Sequence, residues 1–147
     1  VEYGTGCALL VTREAAQRLG LLDTSYHFYG EDADYCLRLR AAGGVIQHVP
    51  RSVILHKVSA SLGAASPRKL YLRSRSHVRL LRRHWSPWRW PLLIPAQMAY
   101  FGAHAVWHLW HGRQDTALAL LEGVMDEFRG RPVPGAEVDS PPTPVVT

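Results

Sequence analysis

A chain of 147 residues, 47% hydrophobic and 20% charged, is long enough for one domain with its own core. Two cysteines exclude a disulfide framework and a zinc cluster, and Cys7 and Cys36 are expected as buried thiols. Lys and Arg total 17 against 12 for Asp and Glu; the formal charge of +5 and isoelectric point near 9.6 favour an anionic partner.

Tyr3 to Thr12 reads as a strand, with Gly4 and Gly6 allowing close backbone approach. Thr12 is placed to cap a helix from Arg13 to Leu19, which Gly20 ends. The densest chemistry follows in Tyr29-Gly30-Glu31-Asp32-Ala33-Asp34-Tyr35-Cys36-Leu37-Arg38-Leu39-Arg40. Here three carboxylates crowd the first turn of a predicted helix whose Ala33, Cys36, Leu37 and Ala41 recur at helical spacing, and Gly43-Gly44 stops it. A carboxylate fixed at the positive end of a helix suits a base that takes a proton from a hydroxyl. The plainer reading is that Glu31, Asp32 and Asp34 only complement the helix dipole. Downstream context favours chemistry: Val45-Ile46-Gln47-His48-Val49 reads as a strand, Pro50-Arg51-Ser52 as a turn, and Val53-Ile54-Leu55-His56 as a second strand ending on an imidazole.

These blocks carry a family resemblance. Gly6-Cys7-Ala8-Leu9-Leu10-Val11-Thr12-Arg13-Glu14-Ala15, Gly20-Leu21-Leu22-Asp23, the Tyr29 to Arg38 run, Val49-Pro50 and His56-Lys57-Val58-Ser59-Ala60-Ser61 stand in one order. In that order the chain, from Val1 to His84, resembles the carboxy-terminal half of family 2 glycosyltransferases, particularly rhamnosyltransferase-like and galactofuranosyltransferase-like members. The resemblance implies an α/β architecture, a partial GT-A (Rossmann-like) fold without its nucleotide-binding half. It implies transfer of a sugar from a nucleotide-diphosphate donor to a hydroxyl of a glycan or lipid-linked acceptor, with inversion. Asp32 matches the family's catalytic base and Glu31 the acid that orients acceptor or base. His56 matches a position that, in some members, ligates a divalent metal on the donor diphosphate; Mg²⁺ or Mn²⁺ suits such a role. Lys57 and Arg75 are the candidates for the diphosphate itself. Asp32-Ala33-Asp34 spells D-x-D, but the family's metal-binding D-x-D closes a strand whereas this one opens a helix. Asp34 is therefore expected to contact its own helix end or a basic neighbour. With half the site missing, the isolated chain is expected to be inactive.

Pro67 to His84 reads as a basic helix with Ser66 as N-cap. Leu70, His77, Leu81 and His84 fall near one side and Arg68, Arg75, Arg79, Arg82 and Arg83 on the others, a pattern equally suited to a solvated or headgroup-facing surface. Where the family often has Arg-Asn, Arg75 is followed here by Ser76. No nucleic-acid module accompanies the charge, so nucleic acid is not an expected partner. Between Arg89 and Arg113 no side chain is formally charged, and all five tryptophans flank that stretch. Indoles favour the water–lipid boundary and Arg82, Arg83 and Arg89 an anionic cytoplasmic leaflet, which points to a protein peripheral to the inner membrane face. A helix lying in the interface is favoured over a spanning or a protein-buried one. His104, His108 and His111 share helical spacing but lack a further ligand type beside them. Gln114 to Phe128 reads as an amphipathic helix with Ala117, Leu118, Leu121, Val124, Met125 and Phe128 on its apolar side. Three regions result: the half-domain 1–84, amphipathic helices over 85–131, and a tail 132–147 expected to be disordered. The alternative to an enzyme is a noncatalytic, membrane-attached basic module.

Overall fold

The computed structural model describes residues 1–56 and 66–135. Its helices are α1 (Arg13–Leu19), α2 (Glu31–Ala41), α3 (Pro67–His84), α4 (Trp90–Trp110) and α5 (Gln114–Arg129), with 3-10 turns at Gly6–Ala8 and Pro87–Arg89. The described residues contain no β-strand, so the chain is helical and the expected α/β, GT-A-like sheet is not formed. Strands are stabilised by ladder bonds and by neighbours across the pleat. Val45, Val53 and Leu55 have 86%, 82% and 100% of their surface open, so these side chains of the segments expected to pair have no neighbours across a pleat. Near the amino terminus, the Gly6–Ala8 turn interrupts the expected strand and leaves Cys7 exposed; only Cys36 is a buried thiol.

Local signals set the helix ends. Thr12 accepts from the Ala15 N–H and Gly20, at φ 75°, closes α1. Ser66 accepts from the Lys69 N–H, Pro67 occupies the first turn of α3, and the Trp85 N–H returns to the Leu81 carbonyl.

Packing turns two helices away from their expected faces. α2 buries Asp34, Tyr35 and Cys36, so a carboxylate occupies its inner side. α5 buries Thr116, Ala117, Ala119, Leu120, Gly123 and Glu127, leaving the expected core residues Leu118, Leu121, Met125 and Phe128 exposed. The reason lies in α3. Its Arg75 and Arg79 converge on Glu127, with Arg75 Nε at 3.0 Å and Arg79 Nη2 at 2.7 Å from Oε2. The Ser74 hydroxyl donates to the Leu120 carbonyl at 2.8 Å. These bonds select the face of α5 that carries Glu127 and Gly123. Two apolar clusters fill the remaining space: Tyr71, Leu72, Ala119 and Val133, and Val78, Phe101 and Leu120 with Leu70 and Val124 beside them. Val133 thus belongs to the core although it opens the segment expected to be disordered; residues 136–147 of that segment lie outside the described residues.

α3 also ties down the front of the chain. The Ser76 hydroxyl donates to the Phe28 carbonyl at 3.0 Å, Arg79 donates to the Ser25 carbonyl, and Arg83 pairs with Asp23. Burial works to raise the Asp23 carboxyl, but the Ser25 hydroxyl and N–H and the Arg83 guanidinium outweigh it, pulling it from 3.8 to about 2. A folded value below the ordinary one means that this tie contributes fully above about pH 4 and is lost as pH falls through about 2. An acid titration followed by circular dichroism should therefore show a shallower slope in that window for Asp23→Asn than for the parent.

α4 is 21 residues long, with Pro95 inside it. No helix among the described residues is long and apolar enough to cross a membrane, which removes the spanning alternative. Phe101, Ala105 and His108 face inward, and Gln97 bonds His77 of α3 at 2.8 Å. Burial lowers the proton affinity of both His77 and His108. The His104 ring lies 4.6 Å from that of Tyr100 at a tilt of 55°, and His111 Nδ1 lies 2.7 Å from the Trp107 carbonyl.

Candidate catalytic carboxylate at the start of helix α2

The chain enters α2 through two left-handed residues, Tyr29 at φ 67° and Gly30 at φ 90°. Glycine adopts that conformation without strain, whereas a tyrosine there is uncommon and is held by its surroundings. Phe28 meets the Tyr29 ring edge-on at 4.7 Å, and its carbonyl is the one bonded by Ser76. The Gly30 carbonyl then accepts from the Asp34 N–H at 2.8 Å and the helix begins.

Asp32 sits in that first turn, half-exposed, under the amino-terminal segment. Its Oδ2 accepts from the Tyr3 hydroxyl at 2.8 Å and from the Gly6 N–H at 2.8 Å. Its Oδ1 accepts from the Ala33 N–H at 2.7 Å. Burial, followed by the hydrogen bond to Asp32, raises the Tyr3 phenol well above its ordinary range, so Tyr3 stays a donor. A carboxylate has about four lone-pair sites. Three donors among the described residues leave one, on Oδ1, open to an incoming hydroxyl. A Cβ at Gly6 would lie 3.4 Å from the Asp32 side chain, in van der Waals contact with it.

Glu31 precedes it with one carboxylate oxygen, Oε2, buried and without a hydrogen-bond partner. Buried acceptors are nearly always satisfied, so a bare one beside a fixed carboxylate is an unusual feature of this helix start. Asp34 has the opposite fate. It is fully buried, with Oδ2 2.7 Å from Arg38 Nε and Oδ1 2.8 Å from His84 Nε2 and 3.2 Å from Arg83 Nε. Three basic partners consume it, and Asp32-Ala33-Asp34 cannot act as a metal-binding D-x-D.

Of the other expected site residues, Arg75 is engaged elsewhere and His56 makes no direct contact with this carboxylate among the described residues. His56 is exposed, and among the described residues no hydrogen bond, ion pair or ring contact links it to Asp32 or Glu31. No group of three His, Cys, Asp or Glu side chains that could hold a metal occurs among the described residues. Among the described residues His56 is therefore not joined by the further ligands a divalent ion needs. Lys57 lies outside the described residues. Arg75 is neither a diphosphate ligand in waiting nor a solvated side chain: it is 6% exposed, bonded to Glu127, to the Tyr71 hydroxyl at 3.0 Å and to the Arg131 carbonyl. Sequence reading missed Tyr3, whose only signal was its place in an aromatic-glycine run, and Glu127, for which nothing local spoke.

Compared with family models, with curated proteins and with solved structures, the chain matches none.

Proposed function

We propose that this chain supplies the acceptor-activating carboxylate of an inverting sugar transfer. Asp32 takes the proton of an acceptor hydroxyl as its oxygen attacks the anomeric carbon of a nucleotide-diphosphate sugar, and the nucleoside diphosphate departs. Glu31 orients the acceptor or the base. The observation that carries this reading is the Asp32 carboxylate itself, fixed by Tyr3 and Gly6 yet with an open lone pair on Oδ1. The ordered motif blocks add to it, and the helical architecture leaves the resemblance resting on those blocks alone. The donor's Mg²⁺ or Mn²⁺ would need ligands that the described residues do not gather. The hydroxyl acceptor belongs to a cell-surface glycan or glycolipid, and the protein works peripherally at the inner membrane face.

The test is Asp32→Asn, assayed in the full reading frame that encodes this chain, with a panel of nucleotide-diphosphate sugars and hydroxyl acceptors. Loss of a general base should lower kcat by about 100-fold or more while leaving the donor KM unchanged. The chain by itself should turn over no donor. Unchanged kcat in Asp32→Asn, with helicity intact, would remove the base from the mechanism. A second reading, a noncatalytic membrane-attached module, draws on the bare apolar side of α4 and expects that unchanged result.

A further inference from the structure

α4 is built inside out. At 100° per residue, Gln97, Phe101, Ala105 and His108 share its inner side, with Gln97 bonded to His77 and His108 only 5% exposed. The opposite side carries Leu92, Ala96, Ala99, Ala103, Val106 and Trp110, every one of them exposed. Leu92 and Trp110 present 81% and 86% of their surface. An ordinary surface helix does the reverse, turning its polar residues outward. An outward stripe without one polar side chain, about 30 Å long from the helical rise, therefore suits an apolar environment.

The ends of the stripe say which environment. Arg89 lies over the Trp88 ring at 5.0 Å at one end, and Arg113 over the Trp107 ring at 5.7 Å at the other. Among the described residues neither guanidinium has an acidic partner. The sequence contains no Asp or Glu between Asp34 and Asp115, and of its Lys and Arg only Arg13, Arg18, Arg129 and Arg131 fall outside that interval. Indole and guanidinium at both ends of an apolar stripe match the interfacial layer of a bilayer, with phosphates beside the cations and acyl chains beneath the stripe.

We infer that the outward side of α4 is a docking surface for an anionic lipid bilayer, with the helix lying in the membrane plane and Arg89 and Arg113 on lipid phosphates. This rests on the peripheral placement proposed above and not on the chemistry of Asp32. The full chain is to be sedimented with vesicles of phosphatidylcholine alone and with about 30% phosphatidylserine, while tryptophan emission is recorded. Binding and a blue shift are expected with the anionic vesicles, with affinity falling by about tenfold or more when salt is raised from roughly 0.1 M to 0.5 M. The double variant Ala99→Glu/Ala103→Glu changes only exposed positions, so its helicity and melting should match the parent while its vesicle affinity falls by about tenfold or more. Paired Arg89→Gln/Arg113→Gln should lose the preference for anionic vesicles. Equal vesicle binding by the Glu variant and the parent overturns the inference, as does no binding to either vesicle. A dimer abolished by the Glu variant, without vesicle binding, assigns the stripe to a second copy instead. Vesicle binding that survives Asp32→Asn, with transfer lost, separates this surface from the catalytic reading.

Discussion

Replacing Glu127 with alanine is expected to cost about 3–5 kcal/mol, the usual penalty for stripping one partner from a buried ion pair. The Glu127 side chain is 8% exposed and receives Arg75 Nε at 3.0 Å, Arg79 Nη2 at 2.7 Å and Arg79 Nε at 2.8 Å. Its own backbone carbonyl accepts from Arg82 at 3.0 Å. Arg79 can turn toward solvent, its side chain being 22% exposed, but Arg75 at 7% cannot. The substitution therefore leaves a cation inside the α3–α5 interface with only the Tyr71 hydroxyl and the Arg131 carbonyl to hold it. A single domain has about 5–15 kcal/mol of stability in total, so the melting temperature should fall by roughly 10–20 °C. Thermal unfolding followed at 222 nm measures it. Adding Arg75→Met to Glu127→Ala removes the stranded charge and should recover a large part of the loss. A single variant that melts with the parent would mean that the charge cluster contributes nothing to holding α5 in place.

The second large effect is steric. A methyl group at Gly123 would stand 2.3 Å from both the Tyr71 carbonyl oxygen and the Ser74 Oγ, and 3.0 Å from the Tyr71 carbonyl carbon. Two of these three atoms are backbone, so α3 and α5 must separate rather than one side chain swing aside. Separation breaks the bond from the Ser74 hydroxyl to the Leu120 carbonyl and opens the cluster around Val78, Phe101 and Leu120. Gly123→Ala is expected to cost about 3 kcal/mol, the upper end for overpacking a close contact, against the gain of under about 1 kcal/mol that alanine gives in an exposed helix. Denaturant unfolding distinguishes the two: the midpoint should fall with the slope unchanged. Gly102, where an added Cβ meets nothing within 4 Å, is the control, and Gly102→Ala should not destabilise.

Helices were legible because their causes are local. Thr12 and Gly20 around α1, and Ser66 with Pro67 before α3, act within a turn of the residues they govern. The strands expected over 45–49 and 53–56 were not, because a β-prone run becomes a strand only when another segment accepts its backbone bonds. The described residues offer Ile46 one such partner, the Val1 ammonium at 3.0 Å. The candidate base was legible as an acid in a first turn, whereas the donors that fix it, Tyr3 and the Gly6 N–H, are 29 and 26 residues away. Arg75 was legible only as a positive charge. Whether it faced phosphate, solvent or the core depended on a glutamate 52 residues further on.

The amino-acid order alone determined where α1, α3 and α5 run, that Asp32 opens a helix, and that an apolar, tryptophan-flanked stretch follows the basic one. Periodicity, capping and charge are properties of neighbours along the chain. The tertiary structure decided which side of each helix is covered: Asp34 and Glu127 inside, Leu118 and Leu92 outside. A buried charge is stable only where distant partners meet it, and a close helix approach only where glycine faces backbone. Those conditions exist between elements and are written in no single segment.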